Sequence, residues 1–154
     1  MPLIKEHYLY GGAIFADPHP YIVSTVLGSC VAVCLYDPVN RMGGINHYQL
    51  DLWNGTGLAS PKFGNIAIQK LFEKMLKMGS RQSDLQAKIF GGASVIGNSQ
   101  NLFQIGERNC EIAFSMLKEL NIPIIASDVG GNHGRKIKFN TETGIVLMKY
   151  VNKK

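Results

Sequence analysis

The apolar run Val31-Ala32-Val33-Cys34-Leu35-Tyr36 constrains the fold of this chain most. Turn-prone residues bound it on both sides, Gly28-Ser29 before and Asp37-Pro38-Val39-Asn40 after. A short continuous apolar run between turn signals reads as a buried strand. This one begins directly behind a cysteine, Cys30. A second strand-like run, Gly44 to Leu50, then returns and delivers His47. The two runs can bring a thiol and an imidazole together at the ends of neighbouring strands. Thiol plus imidazole is the minimum equipment for cysteine-based acyl transfer.

The rest of the chain alternates hairpin-like segments with two helical ones. Leu9 to Phe15 and Tyr21 to Val26 read as strands separated by Asp17-Pro18-His19-Pro20. Asp51 to Pro61 is rich in Gly, Asn, Thr and Ser and reads as a flexible loop. Lys62 to Met78 is the clearest helix, with Phe63, Ile66, Ala67, Leu71, Met75 and Met78 as its apolar stripe and Lys70 and Lys74 beside it. Gly79 is placed to end it. Leu85 to Phe90 is a strand running into Gly91-Gly92-Ala93-Ser94. Gly106 to Leu120 is a second amphipathic helix, with Cys110, Ala113, Phe114, Leu117 and Leu120 at core spacing. Ile124 to Ser127 is a strand, and Asp128 to Gly134 a Gly-rich turn. Lys136 to Asn140 and Ile145 to Tyr150 form a hairpin across Thr141-Glu142-Thr143-Gly144. Hairpins mixed with two long helices predict an α+β fold.

The chain has 154 residues, which fits one domain over residues 1–154. With 45% hydrophobic and 18% charged residues it reads as an ordinary folded protein. No apolar run approaches the roughly 20 residues of a membrane helix. The start, Met1 to His7, lacks the basic region and apolar stretch of a signal peptide, so a cytoplasmic protein with three reduced thiols is expected. The net charge of +5 is spread without a dense block, and nucleic acid is not an expected partner. Cys30 and Cys34 have a zinc-like spacing, but no second close pair completes a site. Neither a Walker loop nor a dinucleotide fingerprint is present. No metal and no cofactor are expected.

Cys30 is the candidate nucleophile. Gly28 permits a tight turn, so Ser29 and Cys30 can present N–H groups to a developing oxyanion. Cys34 points to the same side further along the strand and should be core; Cys110 should be core on its helix. Of the four histidines, His7, His19 and His133 read as surface residues. His47 reads as the base, because imidazole titrates near neutrality and can carry a proton from thiol to leaving group. The Gly91-Gly92-Ala93-Ser94 and Gly130-Gly131-Asn132 loops read either as plain turns or as strand ends bordering a cleft. In the second case Gly92 and Ser94 join Gly28 and Ser29 as oxyanion or cleft candidates.

Four segments carry a resemblance: Leu27 to Pro38, Gly43-Gly44-Ile45-Asn46-His47, Gly91-Gly92-Ala93-Ser94 and Asp128-Val129-Gly130-Gly131-Asn132. In this order, in a chain of this length, they resemble the chemoreceptor glutamine deamidases, the CheD family. The resemblance implies a layered sandwich of mixed β-sheets with helices packed outside, a CheD-like cysteine hydrolase fold. It implies a protein-glutamine deamidase that converts glutamine side chains of methyl-accepting chemotaxis receptors to glutamate through a Cys30 thioester, with glutamate methyl esters as a further substrate class. It places the nucleophile at Cys30 and the base at His47. The family's catalytic hydroxyl, usually threonine, stands six positions before the cysteine. That position is Ser24 here, with Thr25 taking the role if the register shifts. The phosphatase CheC is an implied partner, and a non-catalytic module that binds CheC is the alternative reading. Family members commonly carry a proline where this chain has Asp51, so the loop after His47 is expected to be less rigid.

Overall fold

A computed structural model describes residues 4–94 and 100–151, the side chains of 100–103 excepted. The described residues form nine strands, two helices and one short 3-10 turn. The strands are β1 (Lys5–Tyr8), β2 (Ile14–Asp17), β3 (Tyr21–Leu27), β4 (Val31–Asp37), β5 (Met42–Asn46), β6 (Gln86–Gly91), β7 (Ile124–Val129), β8 (Gly134–Asn140) and β9 (Val146–Val151). The helices are α1 (Gly64–Lys77) and α2 (Gln100–Glu119). One sheet has the order β1-β3-β8-β9 and the other β2-β5-β4-β6-β7. Each contains one parallel pair, β1 with β3 and β6 with β7, and is otherwise antiparallel. The fold is α+β, and both sheets are mixed.

Side-chain alternation explains the layering. Val31, Val33 and Leu35 of β4 pack with Ile68, Leu71 and Met75 of α1 and Leu117 of α2. Ala32 and Cys34, on the opposite face, pack with Val23, Leu27, Ile137 and Phe139 of the other sheet. A strand with apolar residues on both faces needs cover on both, and β4 receives it from helices on one side and a sheet on the other. Each fully buried Leu or Ile contributes roughly 1.5–3 kcal/mol by leaving water. Gly43 and Gly44 of β5 let these layers approach. A Cβ on Gly43 would lie 2.8 Å from the Phe139 ring, and one on Gly44 2.7 Å from both Ala16 and Leu71.

α1 buries Ala67, Ile68, Leu71, Phe72 and Met75, so its core face includes two residues, Ile68 and Phe72, beyond the stripe read from sequence. Gly79, at φ +112, closes it: Gly79 N–H donates to the Leu76 carbonyl and Ser80 N–H to the Met75 carbonyl. This is the left-handed glycine cap expected there. α2 begins at Gln100 rather than Gly106, and serves as the crossover that the parallel β6–β7 pair requires. Its buried line is Gly106, Asn109, Ala113 and Leu117, while Phe114 is exposed. The expected strand Leu9 to Phe15 is mostly the connection between β1 and β2, and only Ile14 and Phe15 of it are in a strand. A turn around Gly11-Gly12, with Gly12 at φ +85, carries the chain from one sheet to the other.

Candidate active site

His47 follows β5 directly and is 7% exposed. The sheet-changing turn grips its backbone from both sides. Gly12 N–H donates to the His47 carbonyl, and His47 N–H donates to the Ala13 carbonyl. Its Nδ1 lies 2.7 Å from Thr25 Oγ1, and Thr25 Oγ1 donates to the Leu9 carbonyl at 2.7 Å. A hydroxyl has one hydrogen, and a carbonyl can only accept it. With that hydrogen on Leu9, Thr25 must accept from Nδ1–H. The neutral ring therefore keeps its lone pair on Nε2, as a base needs. Nε2 lies toward Gly11 and Gln49: a Cβ on Gly11 would stand 3.6 Å from it and 2.8 Å from Gln49 Nε2.

The hydroxyl at His47 thus belongs to Thr25 and not to Ser24. β3 alternates, with Val23, Thr25 and Leu27 buried between the sheets. Ser24 stands on the other face, beside Tyr8 of β1 and Lys138 of β8. Counting six positions back from Cys30 selects Ser24. The turn from Gly28 to Cys30 is not extended strand, so the count lands on the wrong side of the sheet.

Cys30 is half-buried just before β4. The β4–β5 register pairs Cys34 with Ile45, and a further bridge pairs Val31 with Tyr48. On that register Ala32 stands opposite His47, and Cys30, just before β4, packs in the same cluster as Ala32 and Cys34, which puts it on the histidine's face and diagonal to it. Diagonal cross-strand neighbours are close enough for side chains to meet. Thr25, Cys30 and His47 therefore converge on the space between the two sheets. Cys34 lies deeper on that face, fully buried, as expected.

The carbonyls around Cys30 are all engaged. Ala93 N–H donates to Gly28 at 2.9 Å, Asn109 Nδ2 to Ser29 at 3.0 Å, and Gly92 N–H to Cys30 at 2.8 Å. In a trans peptide the N–H points opposite the preceding carbonyl. Anchoring the Gly28 and Ser29 carbonyls thus aims the Ser29 and Cys30 N–H groups away from their anchors, and among the described residues neither donates to a backbone carbonyl. They are the donors available to an oxyanion. The Gly92 N–H is occupied by Cys30 and the Ser94 N–H by Gly131. Gly92 and Ser94 instead line a cavity of about 300 Å³ with Glu107, Cys110 and Val129. Gly91, at φ +113, runs so close under the turn that a Cβ would lie 2.2 Å from the Cys30 oxygen.

Burial pushes the Cys30 thiol up, opposed only by its own backbone N–H. Burial also lowers His47 to about 4. Both effects favour a neutral thiol beside a neutral imidazole at pH 7, so charge separation belongs to the encounter with substrate. Burial raises Cys34 and Cys110 as well. Cys110 is half-buried, with Sγ 4.0 Å from the Gly91 carbonyl. His19 is exposed and pairs with Asp17, and His133 is exposed near Tyr150. His7 is half-buried and stacks on Phe15 at 4.3 Å, because β1 turns it inward. Among the described residues no cluster of three potential metal ligands occurs, and no helix is long and apolar enough to cross a membrane.

Two buried groups carry site geometry that sequence reasoning missed. Asn109 is fully buried, and its Nδ2 bonds both the Ser29 and Gln49 carbonyls at 3.0 Å. Arg135, 3% exposed, bonds Asp128 at 2.8 Å and the carbonyls of Gly91, Gly130 and His133. It ties both Gly-rich loops to β8. The signal for Arg135 was present, since Arg135, Ile137 and Phe139 share one face of an alternating strand.

A half-buried thiol, an oriented imidazole and N–H groups of an anchored turn form the equipment of a cysteine hydrolase. Comparison with known proteins identifies the family. Residues 52–150 match the family described as CheD chemotactic sensory transduction. A Sulfurimonas denitrificans protein named "Probable chemoreceptor glutamine deamidase CheD" is 50% identical over 150 residues, 97% of this chain and 96% of its own. A protein of the same name from Trichlorobacter lovleyi is 49% identical over 94% of this chain and 90% of its own. One from Anaeromyxobacter dehalogenans, "Probable chemoreceptor glutamine deamidase CheD 1", is 44% identical over 92% and 82%. The chain belongs to the CheD family. Among solved structures, the Bacillus licheniformis hypothetical protein YfiH is similar over 71% of this chain and 49% of its own, with a TM-score of 0.42 and 18% identity.

Proposed function

We propose that this chain is a protein-glutamine deamidase acting on methyl-accepting chemotaxis receptors, with the whole of residues 1–154 working as one domain. Its relatives' names support the substrate class. One observation carries the chemistry: the Thr25–His47 hydrogen bond leaves Nε2 as the free base on the face that Cys30 shares.

Cys30 Sγ attacks the carboxamide carbon while its proton passes to His47 Nε2. The oxyanion forms opposite the N–H groups of Ser29 and Cys30. Loss of one such donor typically costs 10²–10³ in rate, roughly 3–4 kcal/mol. The intermediate collapses to a thioester as His47 returns the proton to departing ammonia. His47 then takes a proton from water, whose oxygen attacks the thioester carbon. Cys30 leaves with the proton, and glutamate is released. A glutamate methyl ester enters the same thioester with methanol as leaving group.

The enzyme acts in the cytoplasm on receptor helices, and the phosphatase CheC is a further partner in this reading. Incubation of receptor cytoplasmic fragments with the protein tests it by mass spectrometry. Each amide hydrolysed adds about one dalton. Wild type should add mass at defined glutamines and Cys30→Ala should add none. Equal masses for the two would overturn the reading.

A further inference from the structure

We infer that Asn109 is a positioning residue that holds the nucleophile turn and the histidine strand in one geometry. The inference rests on the deamidase reading above. Asn109 lies on α2, far in sequence from both Cys30 and His47, yet its one side-chain amine bonds the carbonyl before Cys30 and the carbonyl two residues after His47. Both partners are acceptors, so the amine must face them. Its Oδ1 is then left buried without a partner among the described residues. A helix residue that served only to fill the core would carry no such unpaired atom.

The two bonds act on different parts of the site. The Ser29 carbonyl belongs to the peptide whose N–H is that of Cys30. Anchoring it fixes where the Cys30 N–H points. The Gln49 carbonyl belongs to the segment running on from His47, directly across from Cys30 on the shared register. One amine thus sets the spacing between the thiol strand and the imidazole strand. The backbone of Asn109 is itself held, because Tyr48 Oη donates to its carbonyl. Tyr48 lies between His47 and Gln49, so the clamp closes on the strand it positions.

Asn109→Leu keeps the branched shape and the number of side-chain heavy atoms and removes both bonds. kcat on receptor fragments should fall about 10- to 100-fold with KM within about twofold, as expected when reacting groups shift by less than an ångström or so. Alkylation of Cys30 by iodoacetamide should slow about 10-fold, because the thiol loses its fixed relation to His47. Leu117→Ala, a truncation on the same helix, should lower the melting temperature without changing either rate for folded protein. If Asn109→Leu does not fold, Asn109→Ser, which keeps one donor, is read by the same two rates and should show a smaller drop in both. A folded variant at either position-109 substitution with wild-type kcat and wild-type alkylation overturns the inference. Should wild type itself leave the receptor fragments unchanged, the deamidase reading fails, and the alkylation rates still decide the role of Asn109.

Discussion

Thr25→Val replaces the hydroxyl that joins Leu9 to His47 with a methyl of similar size. Two buried groups lose their partner, the Leu9 carbonyl and the His47 Nδ1–H. Each unsatisfied buried group costs about 1–3 kcal/mol, and the pair together about 2–4 kcal/mol after partial relaxation. For a chain of this size each kcal/mol lowers the melting temperature by about 2–4 °C, so a drop of roughly 4–16 °C is expected. The kinetic effect has a separate origin. Without Thr25 the ring proton can move to Nε2, the nitrogen that must accept the thiol proton. Turnover should fall about 10- to 100-fold, as for a general base that is present but misdirected. The assay is ammonia release from receptor fragments, with ¹⁵N NMR of the imidazole to report the tautomer. Thr25→Ser keeps the hydroxyl and should retain most activity. Ser24→Ala, on the far face of β3, should change little. Wild-type turnover by Thr25→Val together with a slow Ser24→Ala would refute the reasoning.

Cys30→Ala should abolish deamidation in a folded protein, whereas Cys34→Ala and Cys110→Ala should keep turnover while lowering stability by roughly 1 kcal/mol or more; circular dichroism and ammonia release separate these outcomes, and turnover by Cys30→Ala would end the mechanism. His47 also makes stability depend on pH. Its folded value of about 4 lies below the unfolded value near 6.5, so the unfolded chain binds the proton first. Its contribution is full above about pH 6.5 and is lost as pH falls towards 4, about 3 kcal/mol over that window at 1.36 kcal/mol per unit. Urea unfolding between pH 4 and 7 should show this slope in wild type and lack it in His47→Gln, and parallel curves would contradict it.

The sequence disclosed what depends on local pattern. The run Val31 to Tyr36 read as a candidate buried strand between turn signals, the two helices followed from periodicity, and Gly79 marked a helix end through its own backbone preference. Cys30 and His47 stood out because the cysteine sits behind a Gly-Ser turn at the start of that run and the histidine falls in the strand-like run that follows. The orienting hydroxyl was not. Ser24 and Thr25 are adjacent polar residues in a strand with apolar neighbours on both faces, so alternation alone could not say which one looks inward. Packing against the other sheet decides that, where Ala32, Cys34, Ile45 and Phe90 cover the face that Val23 and Leu27 present. Asn109 was hidden for a related reason. An asparagine on a helix reads as a solvent residue until the carbonyls it meets, on two distant segments, are known. The expected strand Leu9 to Phe15 proved to be mostly the turn that joins β1 to β2, because the two strands pair in different sheets.

The clamp on the nucleophile turn has a consequence for how the protein is made. Gly92 and Ala93 follow β6 and Asn109 lies on α2, so the segments that anchor the Gly28–Cys30 turn emerge from the ribosome well after the cysteine itself. Contacts of such long separation form late, since the intervening chain must first be brought together. A nascent or partly unfolded chain therefore carries the thiol without the geometry that makes it a hydrolase. In the mechanism proposed above, catalytic competence is a property of the completed fold.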